Sequence, residues 1–303
     1  MTNTEYFKSI QTNSETSSTS DETTLFSRTL LIFDFDDTLF CTKYFDTFSL
    51  SYQDIFSCKV SLEEINPCLV RELRQLESTI IEVFSNLEKN YDILIISNAD
   101  MKWINNCLTH FLEEFKEYIN ENNIKIYSAK SMFGKILKNK NEWKIKCFKK
   151  VINDMYQSDL NCPDLNVISI GDSAEEKKAV FSLTKHNKFI KINPKFIRMI
   201  SFPSAATIIL QLKYLNNNLN NMIFDSNSNF KMVIEFKNNI PEIKCISNKK
   251  NKNESIVQSY LNKNSLDEND NLINLKENKE NKKDMLFYFS QSEEKNYLED
   301  DNL

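Results

Sequence analysis

One stretch constrains the fold more than any other: Leu30-Leu31-Ile32-Phe33-Asp34-Phe35-Asp36-Asp37-Thr38-Leu39. Four apolar residues read as a strand buried on both faces, and they run straight into three carboxylates and a hydroxyl. A strand interior cannot hold uncompensated carboxylates, so Asp34 and Asp36 belong where the strand ends and a ligand can reach them. The two-residue period of a strand sets Asp34 and Asp36 on one side and turns Phe35 to the other. Such a concentration of carboxylate oxygen suits a hard divalent cation such as Mg²⁺.

The same pattern, an apolar strand with a polar end, recurs downstream. Ile93 to Ile96 ends in Ser97 and Asn98, and Asn166 to Ile170 delivers Gly171-Asp172-Ser173. Ile124 to Tyr127 and Lys188 to Ile192 complete five expected strands. Between them lie helical patterns. The first opens on the capping-box form Ser61-Leu62-Glu63-Glu64 and carries Leu69, Leu73, Leu76, Ile80, Phe84 and Leu87 to about Asn90. Ile104, Leu108, Phe111, Phe115 and Ile119 read as one long helix, followed by a loop over 128–141. Trp143, Cys147, Val151 and Met155 mark a further helix, Glu175 and Glu176 open another, and Ala206, Ile209, Leu212 and Leu215 describe the last. Strand and helix alternate, which predicts an α/β, doubly wound parallel sheet with right-handed crossovers and ligands at its carboxyl edge. The aromatics of residues 40–61, among them Tyr44, Phe45, Phe48, Tyr52 and Phe56, fit either a small packing turn or a flap at the site entrance.

Composition sets the boundaries and removes other chemistries. Residues 1–27 are rich in Ser, Thr, Asn and Glu, and residues 237–303 become dominated by Asn, Lys, Glu and Asp, so both ends read as disordered tails around a domain at 28–236. With two glycines in 303 residues there is no Walker loop and no G-x-G-x-x-G turn, and with two histidines there is no H-E-x-x-H site. Glycine is so scarce that its use at 171, directly before a carboxylate, points to tight backbone geometry or close approach of a ligand. A net charge of −5 without a basic run argues against nucleic acid. No apolar run reaches membrane length, and seven cysteines without a C-x-x-C pair fit reduced thiols, so a cytoplasmic or nuclear location is expected. Met285 to Ser290, an apolar island in the C-terminal tail, is the one candidate peptide for a protein partner.

Taken in order, four of these signals resemble the haloacid dehalogenase (HAD) superfamily, most of whose members are phosphatases. They are Asp34-Phe35-Asp36-Asp37-Thr38 for D-x-D-x-T, Ile93 to Ser97 for the strand ending in Ser or Thr, Lys144 for the lone lysine, and Gly171 to Glu176 for G-D-x-x-x-D/E. The resemblance covers roughly residues 29–216, and Ile126 to Ala129 with Trp143-Lys144, Phe202-Pro203-Ser204 and Gln211-Leu212 make it look closest to an uncharacterised protist and plant branch. It implies a Rossmann-like three-layer fold and an aspartyl-phosphate mechanism. Asp34 would be the nucleophile and Asp36 the general acid and base, with Lys144 neutralising charge. Thr38, Ser97, Asn98 and Lys144 would bind phosphate, while Asp34, the main chain of Asp36, Asp172 and Glu176 would hold Mg²⁺. Lys140, Lys146 and Lys149 compete with Lys144, and Glu175 competes with Glu176. Many members carry glycine where this chain has Asp37. The intervals from Asp34 to Ser97 and on to Lys144 are filled by expected elements, so no large cap fits, and minimal caps go with large substrates such as phosphoproteins. The same residues would also serve a phosphotransferase or a catalytically weak phospho-ligand binding protein.

Overall fold

A computed structural model describes residues 28–46, 52–57, 66–156, 164–185, 191–238 and 240–247. The capping-box residues 61–64, His186, the start of the strand expected from Lys188, the N-terminal tail and the island Met285 to Ser290 lie outside the described residues.

β1 (Arg28–Phe33) is buried from Thr29 onward, as its apolar run requires. Two five-residue helices follow, α1 (Thr42–Asp46) and α2 (Tyr52–Phe56). α3 (Pro67–Leu87) has proline in its first turn and Asn66 as its N-cap, whose side chain accepts from the N–H groups of Cys68 and Leu69 at 3.0 and 3.1 Å. All six of its expected apolar positions are buried. β2 (Asp92–Ser97) leads to α4 (Met101–Phe111) and α5 (Glu113–Glu121), then to β3 (Lys125–Ser128). α6 (Ala129–Phe133) and α7 (Asn141–Tyr156) precede β4 (Asp164–Gly171) and α8 (Ala174–Phe181). β5 (Lys191–Arg198), α9 (Ala205–Phe224), β6 (Asn229–Lys237) and β7 (Ile240–Ser247) complete the described chain.

The sheet has seven strands in the order β3-β2-β1-β4-β5-β6-β7, parallel throughout except for the antiparallel β6–β7 pair. Helices cover both faces. Leu31 and Phe33 pack with α3, α4, α5 and α9, whereas Leu30 and Ile32 pack with α7 and α8, giving three layers. This is a Rossmann-like α/β architecture, and its strand order reverses between β1 and β4. Among the described residues no helix is long and apolar enough to cross a membrane.

Four sequence expectations are corrected. The single helix expected over Ile104 to Ile119 is two, because Leu112 turns out of helical geometry (φ −137°, ψ 54°) to bury its side chain completely. The loop at 128–141 contains α6, capped by Ser128, whose hydroxyl accepts from Ser131 N–H at 2.9 Å. The fifth strand runs to Arg198, beyond the expected end at Ile192. The domain boundary at 236 is too early, since β6 continues to Lys237 and β7 closes the edge of the same sheet.

Candidate active site

The strand order reverses between β1 and β4, and the acidic residues sit at the carboxyl ends of these two strands, where α/β sheets bind ligands. Asp34 is the next residue after β1. Its N–H donates to Ile170 O at 2.9 Å, which carries the ladder to β4 one position past the strand. It keeps the phase of Leu30 and Ile32, so its side chain meets the α7/α8 layer, while Phe35 enters the core of the opposite layer. The chain then closes a tight turn in which Leu39 and Phe40 N–H groups both donate to Phe35 O, at 2.9 and 3.0 Å. Asp37 occupies the left-handed region at φ 54°, where an aspartate is tolerated and where glycine is the usual choice. Its carboxylate accepts from Lys43 N–H at 3.0 Å and pairs with Lys43 Nζ at 2.9 Å, which ties the turn to α1.

α7 brings Lys144 inward. The side chain is 1 % exposed, donates to Asp34 Oδ1 at 2.8 Å and also pairs with Glu176 of α8. Lys140 and Lys146 are exposed and Lys149 is half-buried, so burial selects Lys144 from its neighbours. Burial likewise selects Glu176 over Glu175. Glu176 completes a capping box with Ser173, accepting from Ser173 N–H at 2.8 Å and from its hydroxyl. Asp172 is buried at the end of β4. One carboxylate oxygen from each of Asp34, Asp172 and Glu176 lies within 4.8 Å of the others. The side chain of Asp36 is not part of this cluster. Its Oδ1 accepts from Thr42 Oγ1 at 2.6 Å and Trp103 Nε1 at 2.9 Å, and its Oδ2 from Ser97 Oγ at 3.3 Å. The Ser97 hydroxyl also accepts from Ala99 N–H at 3.0 Å. Thr38 Oγ1 and Asn98 Oδ1 are buried beside these acids and have no hydrogen-bond partner among the described residues.

Charge is unbalanced here. Among the described residues, Asp34, Asp37, Asp172 and Glu176 share two ammonium groups, Lys144 and Lys43, and Asp36 pairs with neither. Burial pushes the Asp34 carboxyl well above the ordinary range, against the pull of Lys144 and with added repulsion from Glu176. Asp172 is raised to about 7 by burial and by the charge of Glu176. Burial also works against ionised Glu176, but the charge and hydrogen bond of Lys144, with two hydrogen bonds from Ser173, outweigh it and hold the carboxyl below its usual value. Lys144 is itself raised, because Asp34 and Glu176 more than offset its desolvation. Three converging carboxylate oxygens, two of them on carboxyls that burial pushes upward, form a donor set suited to a hard divalent cation.

The sequence assigned no site role to Thr42, Lys43, Trp103 or Phe202. Lys43 Nζ stands 3.5 Å from Asp172 Oδ2 and 4.2 Å from the centre of the half-exposed Phe202 ring, a residue at φ 56°. Trp103 left one usable signal, a rare large aromatic in the first turn of the helix that follows the Ser97 strand end. Comparison of the chain with models of protein families, with curated proteins and with solved structures gives no match.

Proposed function

We propose that the chain is a Mg²⁺-dependent phosphomonoester hydrolase of HAD type. The observation that carries the reading is the setting of Asp34: a carboxylate at the strand reversal, pinned through one oxygen by a buried lysine, beside two more converging acids. Lys144 engages Asp34 Oδ1, which leaves Oδ2 to attack phosphorus. As that bond forms and the ester P–O bond breaks, protonated Asp36 gives its proton to the departing oxygen. Asp36, now ionised, takes a proton from water, and the resulting hydroxide displaces phosphate from the aspartyl-phosphate and restores Asp34. The Ser97 and Thr38 hydroxyls and the Asn98 side-chain N–H would donate to the phosphoryl oxygens. Asp34, Asp172 and the Asp36 main chain, with Glu176 behind them, would hold Mg²⁺, whose charge offsets repulsion between the carboxylate nucleophile and the phosphate. The short helices α1 and α2 are too small to enclose a metabolite, which favours a phosphoprotein or another large substrate.

The test is hydrolysis of para-nitrophenyl phosphate with and without Mg²⁺, run beside Asp34→Asn. Metal-dependent turnover is expected in the wild type, with a loss of roughly a thousandfold or more in the variant. Equal rates in the two proteins would sink the proposal.

A further inference from the structure

Asp36 lies beyond the end of β1, and three elements converge on its carboxylate. Thr42 comes from α1, Ser97 from the end of β2 and Trp103 from the first turn of α4. Among the described residues Oδ1 takes two donors, at 2.6 and 2.9 Å, and Oδ2 takes one, the Ser97 hydroxyl, at 3.3 Å. The two oxygens are therefore inequivalent. The indole N–H can only donate, so an oxygen facing it is held as an acceptor, and a proton on the carboxyl goes to the other oxygen. The indole is fixed in turn by α2: the Tyr52 ring meets it edge-on at 4.7 Å and the Phe56 ring at 5.6 Å.

We infer that Trp103 is a positioning residue for Asp36, directing the transferable proton onto Oδ2 and linking the seating of α2 to proton transfer. The inference rests on the phosphomonoesterase reading above. In that reaction the proton on Oδ2 passes to the ester oxygen as its bond to phosphorus breaks and Asp34 takes the phosphoryl group. Protonated Oδ2 is a weaker acceptor for Ser97, which leaves the Ser97 O–H more available to a phosphoryl oxygen. Help from the acid matters in proportion to the basicity of the leaving group. Phenolate needs the proton, and para-nitrophenolate leaves largely without it.

The experiment compares kcat/KM of the full chain at saturating Mg²⁺ on phenyl phosphate and on para-nitrophenyl phosphate. Trp103→Phe keeps an aromatic ring against Tyr52 and Phe56 and removes the N–H. It should lose about tenfold more on phenyl phosphate than on para-nitrophenyl phosphate, the scale of one hydrogen bond to a charged group. Thr42→Val removes the other donor to Oδ1 and should show the same selectivity, so it decides the matter if Trp103→Phe has no cooperative melt. Equal losses on both substrates in the folded variants would make Trp103 a packing residue only and overturn the inference. A wild type that hydrolyses neither ester, and is matched by Asp34→Asn, would show instead that the underlying reaction is wrong, and the inference would fall with it.

Discussion

At Gly171 the constraint is space. Its φ is not in the left-handed region, but a Cβ built there would lie 2.6 Å from Glu176 Cγ. Glu176 cannot simply swing away, because its carboxylate is held by Lys144 and by the Ser173 cap. Gly171→Ala should therefore destabilise the protein by about 1–3 kcal/mol, the usual penalty for overpacking. Urea unfolding measures this, and an unchanged midpoint would contradict it. The sequence marked the position by the rarity of glycine and offered tight backbone geometry or close approach of a ligand; the structure shows a third reason, the packing of the Glu176 side chain against it. Asp34, Asp172 and Glu176 were legible because each sits at a strand end or helix start with a local signature. Lys144 was legible only as one of several lysines on a helix, since burial rather than spacing distinguishes it.

α4 and α5 are two helices where the apolar spacing predicts one. Periodicity carries through from Ile104 to Ile119, so the pattern alone gives one helix. A tertiary contact supplies what the pattern lacks: Glu77, buried on α3, accepts from Phe115 N–H at 3.0 Å and satisfies a donor in the first turn of α5. Burial raises the Glu77 carboxyl above its ordinary value, opposed by the Phe115 N–H and reinforced by the charge of Glu114. The native state thus holds this proton more tightly than the unfolded chain does. The stability this contributes is complete below the ordinary carboxyl range near pH 4.3 and is lost as pH rises through the native value. Glu77→Gln does not titrate, so the wild type should lose stability relative to it between pH 4 and pH 7. Thermal melts across that range test the sign, and a constant difference would refute it.

For the whole molecule, the question is where the sheet ends. A boundary at Phe236 follows from composition, because Asn and Lys become frequent beyond it, yet β7 pairs with β6 from Phe230 to Lys237 and places Ile243 in the core. A chain ending at Phe236 would uncover Met232 and lose Ile243. It should unfold with a free energy at least about 3 kcal/mol below that of the full chain, as two core side chains would cost. Matching urea midpoints for the two chains would show that β7 carries no stability. The α/β alternation, the parallel sheet and the acids at its carboxyl edge can be read from the amino-acid order, because strand and helix periodicity and polar strand ends are local properties of the chain. Which lysine pairs with Asp34, which groups hold Asp36, where the long helix breaks and where the sheet stops come from folding alone. Each of these depends on burial and on partners distant in sequence, such as Lys144 with Asp34, Trp103 with Asp36 and Glu77 with Phe115, and no local pattern encodes such meetings.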